Sequence, residues 1–288
     1  MTTTTAASDT TQTGTSTPSV MSPPPSTRKR GLGRGFSTLL ATETKVWLRD
    51  SSIFWVAFPT LILLMNMVME SSLREVAYGE GFEFLQGHPV YGNAFIMIAL
   101  PPIIAMGLGM TTVSILPVTF GGFRDKGVFK LFSASPMRPQ GLFAAHAIIN
   151  IVASLFGVVI MVAVTAAIAP IAMPINLAVT IMGILLGLIA LLSVGSLIAA
   201  VVPKANVGTL AGNIAFFVFL FTSGAMGGSP APGEVMYYVT RFSPMGAAAQ
   251  VIQYGWIQAT DFPVVQLIVL GVWTLVCAPL AVKLFRWR

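Results

Sequence analysis

The amino-acid sequence predicts an all-α integral membrane protein with six transmembrane helices, and its composition and hydropathy pattern support this. Hydrophobic residues make up 55% of the 288 residues and charged residues only 9%, whereas a soluble globular domain carries about 25% charged residues. The apolar runs are continuous rather than alternating, which excludes a transmembrane β-barrel. The composition also excludes a soluble enzyme, a disordered protein and a coiled coil.

Residues 1–33 form a tail rich in Ser, Thr and Pro, which we expect to be disordered and cytoplasmic. Such a segment cannot bury enough apolar surface to offset the entropy lost on ordering. A basic cluster follows near its end and consists of Arg28, Lys29, Arg30 and Arg34. The cluster is typical of a cytoplasmic topology signal, and contact with anionic membrane lipid is the alternative.

Residues 34–50 predict an amphipathic helix that lies in the cytoplasmic interface before the first span. Apolar residues follow helical spacing there, with most of the polar and charged residues on other faces. An extension of the first span is the alternative. The residues assigned to this interfacial helix are Phe36, Leu39, Leu40, Glu43, Trp47 and Arg49.

Six predicted spans follow from dividing the chain at its charges, since a helical crossing needs about 20 apolar residues. They lie near 53–69, 93–119, 142–169, 177–201, 206–226 and 262–282. The break between the third and fourth spans is placed at 170–176, which contains two prolines. Pro101 and Pro102 are expected to kink the second span, because proline removes a backbone donor.

The distribution of basic residues predicts the orientation of the spans. An even number of crossings puts both termini on one side, and that side holds all of the 16 Lys and Arg residues except Arg74 and Arg241. The positive-inside rule therefore places both termini in the cytoplasm. The net charge of +6 is explained by these loops without a nucleic-acid partner. No Asp, Glu, Lys or Arg lies inside a predicted span, which argues against a proton-coupled transporter.

The cytoplasmic loop 121–141 predicts a short helix that docks on a partner. Two glycines lead out of the membrane, the triplet Arg124-Asp125-Lys126 opens the helix, and Ser135-Pro136 ends it. Its apolar residues are Val128, Phe129, Leu131 and Phe132. Apolar side chains exposed beside charges indicate a partner groove. A loop that folds back on the bilayer is the alternative.

The segment 229–261 between the last two spans is rich in aromatic residues, which favour the membrane interface. It predicts short amphipathic helices at the outer surface that partly re-enter the membrane near Pro244. The segment either lines the exit of a transport path or anchors the chain in the bilayer.

Neither a catalytic site nor a metal site is predicted. Cys277 is the single cysteine, and His88 and His146 are far apart in the sequence. His146 is interpreted as a buried or interfacial polar residue. The abundant methionines are interpreted as packing and lipid-facing residues. A membrane enzyme is therefore disfavoured.

Four stretches resemble the ABC-2 permeases, the membrane subunits of one group of bacterial ABC exporters. They are 43–50, which leads into an apolar helix with Pro59; 124–131; 133–137; and 219–224 followed by Pro230, Pro232 and 242–245. The stretch 124–131 is similar to the family's "E-R-E-x-G-T-x-x-x-L" coupling segment. It departs from that pattern at Phe123, where the family commonly has Glu, and at Val128, where it has Thr.

The resemblance implies sites and partners as well as a fold. The implied ATPase-coupling residues are Arg124, Asp125, Lys126, Gly127, Phe129, Leu131 and Phe132. The implied outer gate consists of Ser223, Gly224, Pro230, Pro232 and Pro244. The implied partners are a dimer of ABC ATPase subunits and a second permease, identical or related. The chain lacks the Gly-x-x-x-x-Gly-Lys-Ser/Thr motif, so ATP and magnesium would bind to the partner ATPase and no cofactor to this chain.

The sequence and the resemblance together predict the membrane subunit of an ATP-driven exporter in the bacterial cytoplasmic membrane. The chain would not be an enzyme by itself. Uncharged spans suit a hydrophobic or amphipathic substrate such as a drug, an antibiotic or a lipid. The alternative is a facilitative carrier or a membrane scaffold that works without an ABC ATPase; a carrier would be supported by inverted repeats, and none is convincing here.

Overall fold

The computed structural model describes residues 41–42, 44–45, 94–129, 139–168, 173–223, 235–258 and 261–285, and all regular structure within these ranges is helical. The second predicted span is a continuous helix made of α1 (Ala94–Gly109), a π-helical turn (Met110–Ser114) and α2 (Ile115–Asp125). The remaining helices are α3 (Pro139–Ile168), α4 (Leu177–Val201), α5 (Ala205–Thr222), α6 (Val235–Phe242), α7 (Pro244–Ile257) and α8 (Val264–Leu284).

Five helices in the described part of the chain are long and apolar enough to cross a membrane. They lie at the positions of the predicted second to sixth spans, so the chain is a multi-pass, all-helical membrane protein. The predicted first span lies outside the described residues, and the count of six therefore stays a prediction. The interfacial helix also lies largely outside them, although residues 41–42 and 44–45 are helical.

Several helix boundaries follow from local chemistry. Helix α4 begins at Leu177 as predicted, because the Asn176 side chain accepts a hydrogen bond of 3.2 Å from the backbone N–H of Val179. Helix α5 ends at Thr222 and not near 226. Helix α1 continues through Pro101 and Pro102, since neighbouring helices and local adjustments make proline tolerable inside a membrane helix.

The prediction that Arg124-Asp125-Lys126 opens a short helix is wrong. Arg124 and Asp125 are instead the last residues of α2, and the chain turns at Lys126 and Gly127. The reason is tertiary: α2 packs against the chain between α4 and α5. A Cβ atom at Gly121 would lie only 2.6 Å from the carbonyl oxygen of Lys204, so this glycine permits a close helix contact rather than an exit from the helix.

Helix α4 is at the centre of the fold and packs against α8, α7 and the second span. Helix α7 belongs to the segment that was predicted to lie at the outer surface and to re-enter the membrane partly near Pro244. The interfacial part of this prediction is wrong for α7, because 11 of its 14 residues are buried between α1 and α4. The re-entrant part agrees with the contacts, since Gly255 lies against Thr180 at the beginning of α4 and Ala248 lies against Gly187 near its middle. The burial is possible because α7 carries no charge and has small residues at its contacts. A Cβ atom at Gly187 of α4 would lie 2.7 Å from the Ala248 Cβ atom of α7.

The helices bring the described loops together at two ends of the bundle. At the Arg124 end, the end of α2 meets the connection 202–204, and Phe120 of α2 contacts Phe285 after α8 with ring centroids 5.7 Å apart. At the opposite end, from which α6 and α7 enter the bundle and which we call the Pro244 end, the backbone N–H of Asn176 donates to Gly255 O over 2.8 Å. Deeper in the bundle on this side, the Thr222 hydroxyl donates to the Ser243 hydroxyl over 3.0 Å. This arrangement agrees with spans that alternate in direction.

Candidate functional site

An aromatic cluster fills the Arg124 end of the bundle. It consists of Phe120, Phe123, Phe129, Phe143, His146 and Phe285. Neighbouring ring centroids lie 5.0 to 6.4 Å apart, and most pairs are edge-to-face or tilted, which are favourable geometries for aromatic rings. The cluster joins the second, third and sixth spans. His146 is 7% exposed, which confirms its interpretation as a buried polar residue.

Phe129 belongs to this cluster and is only 3% exposed. The expectation that it presents an exposed ring to a partner is therefore wrong. Its ring stacks against Phe120 with centroids 6.4 Å apart and contacts Phe285 at 6.0 Å. The chain turns back at Gly127, so Phe129 packs on its own helices. Leu131 and Phe132 lie outside the described residues, and their coupling role stays a prediction.

Arg124 binds the carboxyl-terminal end of α4. Its Nη1 atom donates to Ala199 O over 2.7 Å and to Val202 O, and its Nη2 atom donates to Ala200 O over 3.1 Å. These carbonyls belong to the last turn and the cap of α4, where no later residue of the helix can donate a hydrogen bond to them. The guanidinium also lies 5.2 Å from the Phe285 ring centroid and 5.8 Å from that of Phe129, within the distance of a cation–π contact.

Asp125 binds the amino-terminal end of the next helix. Its Oδ2 atom accepts a hydrogen bond of 2.8 Å from the backbone N–H of Ala205, the first residue of α5. Lys204 occupies the N-cap position and makes no side-chain cap. Asp125 therefore supplies the carboxylate that the local sequence lacks, and its charge is favourable at this end of the helix.

Lys126 and Gly127 form the turn at the surface of this end. Lys126 is exposed, and Gly127 has a φ of 65°, in the left-handed region that glycine adopts without strain. The backbone N–H of Lys126 donates to Gly122 O, and that of Gly127 donates to Arg124 O. Gly127 therefore closes α2 in the way that glycine commonly ends helices.

An apolar cavity of about 450 Å³ lies between α3, α4 and α8 on the side of the bundle. Its lining contains no charged residue, and only Ser193 and Ser196 are polar. The full lining is Phe143, Ala147, Ile189, Leu192, Ser193, Ser196, Ala278, Ala281, Val282 and Phe285. These residues occupy the half of each helix nearer the Arg124 end. Exposed Ile189 (43%) and Val282 (76%) show that the cavity opens sideways.

The described residues of the predicted outer gate meet at the Pro244 end. Pro244 is the first residue of α7 and is buried, and the Ser223 hydroxyl donates to Leu220 O over 2.7 Å at the end of α5. The Thr222–Ser243 hydrogen bond connects the two segments. Gly224, Pro230 and Pro232 lie outside the described residues. The role of this region as a gate stays a prediction.

Three further sets of predicted residues have different outcomes. All six residues assigned to the interfacial helix lie outside the described part of the chain; they are Phe36, Leu39, Leu40, Glu43, Trp47 and Arg49. Cys277 is buried in α8. Among the described residues, no group of three or more His, Cys, Asp or Glu side chains could hold a metal ion.

Two parts of this site were missed from the sequence. The carbonyl acceptors of Arg124 are backbone atoms and carry no side-chain signal. The cavity had a weak signal: the apolar fourth span contains Ser193 and Ser196 three residues apart, on one face of a helix. Small residues at Ala278 and Ala281 repeat the spacing on the sixth span and leave the space that the cavity fills.

Comparison with known proteins agrees with the multi-pass helical fold. The family model of the ABC-2 type transporters matches residues 34–256. No curated protein and no solved structure matches the chain. The match covers most of the 288 residues and includes the second to fifth spans and the segment around Arg124. The chain is therefore a member of the ABC-2 type transporter family, the family that its sequence resembles.

Proposed function

We propose that the chain is the permease subunit of an ATP-driven exporter that moves a hydrophobic or amphipathic substrate out across the bacterial cytoplasmic membrane. Its family membership makes it the membrane component of an ABC transporter, and permeases of this family normally work with an ABC ATPase. The direction of transport, the substrate class, the bacterial cytoplasmic membrane and the cytoplasmic orientation of the termini are the proposed parts.

The apolar cavity is the observation that carries the substrate class. Its volume of about 450 Å³ falls in the range of small-molecule sites, about 300–1,000 Å³. Eight of its ten lining residues are apolar and the other two are serines. Such a lining favours a molecule with a large apolar surface and few hydrogen-bonding groups, because an unpaired buried polar group is costly. It does not suit a bare ion.

The position of the cavity supports export. The positive-inside rule places the Arg124 end in the cytoplasm, which puts the cavity in the inner half of the membrane. A hydrophobic substrate concentrates in the lipid and can enter sideways past Ile189 and Val282, both of which are exposed. Loading from the inner leaflet is the first step that an exporter of membrane-dissolved molecules requires.

The energy source would be a separate pair of ABC ATPases that bind ATP and magnesium. They would dock at the Arg124 end, near Lys126, Gly127 and the predicted interfacial helix with its residues Glu43 and Trp47. A second permease, identical or related, would complete the transport path, because one set of six spans makes half of a pore. Lipid would cover the apolar faces of the spans, and no nucleic acid takes part.

Filling the cavity tests this proposal. In proteoliposomes with the cognate ABC ATPase, we expect Ala147→Leu to reduce ATP-dependent movement of Nile red or fluorescently labelled phosphatidylethanolamine about tenfold, because the larger side chain would occupy part of the cavity and weaken substrate binding by about 1.4 kcal/mol. The matched control is Ala163→Leu, an exposed position on the same helix, which does not line the cavity.

Two results would overturn the proposal. If Ala147→Leu transports as well as Ala163→Leu, the cavity does not lie on the substrate path. If the wild-type chain moves the probes equally well without ATP or without the ATPase, it is a facilitative carrier and not an exporter.

A further inference from the structure

Two oppositely charged neighbours in the sequence bind the two helix ends that flank one short connection. Arg124 donates to the carboxyl-terminal carbonyls of α4, and Asp125 accepts from the amino-terminal N–H of α5. We propose that this double cap is the element that transmits ATPase movement from the surface turn after α2 into the fourth and fifth spans. The inference rests on the proposed function, and it assigns Arg124 and Asp125 a positioning role inside the permease rather than direct contact with the ATPase.

The sign of each charge matches the helix end that it binds. The carboxyl-terminal end of a helix carries a partial negative charge and the amino-terminal end a partial positive charge. Arg124 therefore stabilises the end of α4, and Asp125 stabilises the beginning of α5. The arrangement depends on the order of the two residues, because the reversed order would place each charge at the helix end that repels it.

The shape of the guanidinium is needed as well as its charge. Arg124 reaches Ala199, Ala200 and Val202 with its two terminal nitrogens. A planar group with several fixed donors can hold diverging carbonyls, whereas a lysine ammonium is a point charge on a flexible stem. We therefore expect Arg124→Lys to retain the charge and to lose most of the cap.

Close backbone packing makes the double cap a stiff connection. A Cβ atom at Gly121 would lie 2.6 Å from Lys204 O and 2.9 Å from the Ala205 Cα atom. A Cβ atom at Gly208 of α5 would collide with the carbonyl oxygen of Pro117 in α2. With so little free space between the backbones, displacement of the end of α2 must move the 202–205 connection with it.

The same connection joins two helices with different surroundings. Helix α4 is the central helix and lines the apolar cavity through Ser193 and Ser196. Helix α5 packs against α2 and leads to the Pro244 end. A shift of the connection therefore reaches the cavity through one helix and the opposite end of the bundle through the other.

The first test exchanges the two charges in the double variant Arg124→Asp with Asp125→Arg. The exchange keeps the net charge of the turn and thus the positive-inside signal, but it places both charges at repelling helix ends. We expect the ATPase to co-purify with the permease within about twofold of the wild-type amount. We expect transported Nile red per ATP hydrolysed to fall about tenfold, the change that the loss of about 1.4 kcal/mol of capping produces.

The second test leaves both charged side chains intact. Ala205→Pro removes the single N–H that Asp125 accepts, and proline is favoured at the first position of a helix. Lys204 has extended backbone angles, φ −143° and ψ 159°, which suit a residue before proline. We expect a smaller loss of coupling than in the exchanged variant.

A third test changes only the Asp125 side chain. Asp125→Asn keeps an acceptor oxygen, so it should retain more of the wild-type coupling than Asp125→Ala. Gly122→Ala is the control, because a Cβ atom there meets nothing within 4 Å.

The outcomes separate the alternatives. Wild-type transport per ATP in the exchanged variant would overturn the proposal. A parallel loss of ATPase co-purification would also overturn it, because it would mean that these side chains contact the ATPase directly. If the exchanged variant fails to fold, Ala205→Pro decides, and unaltered coupling there refutes the double cap. If the wild-type chain moves no probe, the exporter proposal fails, and permease-stimulated ATP hydrolysis by the same variants still measures the double cap.

Discussion

The Arg124 end and the Pro244 end of the bundle are held together in different ways. At the Arg124 end, charged side chains reach across the fold and bind the free groups of two helix ends. At the Pro244 end, backbones pack directly against each other, as at Gly246, where a Cβ atom would collide with the carbonyl oxygen of Thr240. At the Arg124 end, charged caps therefore add to close backbone packing such as that at Gly121, whereas the packing of the uncharged helix α7 holds the Pro244 end.

The difference follows from the surroundings of each end. A helix end near water can be capped by Arg or Asp, because the charged atoms remain partly hydrated; Asp125 is exposed and Arg124 is half-buried. Inside the membrane, a charge is expensive, and helices associate through small residues that allow close van der Waals contact. Helix α7 is an example, because it is mostly buried and carries no charge.

The two ends of the bundle are therefore suited to different functions. The charged caps and the close backbone contacts fix the end of α2 to the connection between α4 and α5, so the Arg124 end suits the transmission of movement. Close backbone contacts between helices resist separation. The Pro244 end therefore suits a gate that stays closed to the substrate until the whole bundle rearranges. Substitutions at the two ends should differ accordingly in which property they change.

The largest effect is expected at Phe129, in the aromatic cluster of the Arg124 end. Because this ring is 3% exposed, Phe129→Ala should lower the free energy of unfolding by about 3 kcal/mol. Denaturant titration in mixed micelles measures the change. Phe156→Ala, at an α3 ring that is 61% exposed, is the control and should have little effect. An unchanged stability for Phe129→Ala would show that the ring does not contribute to the fold.

A smaller effect is expected at the Pro244 end. Gly246→Ala introduces a methyl group against the Thr240 carbonyl, and overpacking of this kind costs about 1–3 kcal/mol. The matched control is Gly271→Ala in α8, where a Cβ atom meets nothing within 4 Å. The melting temperatures of the two variants in one detergent provide the measurement. Equal melting temperatures would contradict direct backbone packing at this end.

The smallest effect is expected at the surface turn. Gly127 has a φ of 65° and open space around it, so Gly127→Ala should cost about 1 kcal/mol through backbone strain alone. Gly122→Ala, five residues earlier and inside α2 with equal space, should instead stabilise by up to about 1 kcal/mol. The two variants should therefore shift the melting temperature in opposite directions. A shift in the same direction would show that the turn is not held in the left-handed conformation.

The candidate site was predictable in its residues but not in its contacts. The charged turn was predictable as a loop between two spans, because Arg124, Asp125 and Gly127 lie between two long apolar runs. The sequence pattern suggested that Phe129 faces a partner, yet it packs on Phe120 and Phe285. Short-range periodicity cannot reveal such a contact, because Phe285 is far away in the sequence and its position depends on how α8 packs against α4.

By itself, the sequence determined the class of protein and the positions of its described spans. Both are consequences of transfer from water to lipid, which depends on the composition of each local segment. The fourth span, predicted at 177–201, matches helix α4 for this reason.

Only the tertiary structure decided which groups meet. Arg124 binds a carbonyl 75 residues away and Asp125 an N–H 80 residues away, and both partners are backbone atoms that every residue type provides. The burial of α7 was likewise decided by α1 and α4, because its uncharged, small-residue sequence suits a protein interior as well as a membrane interface.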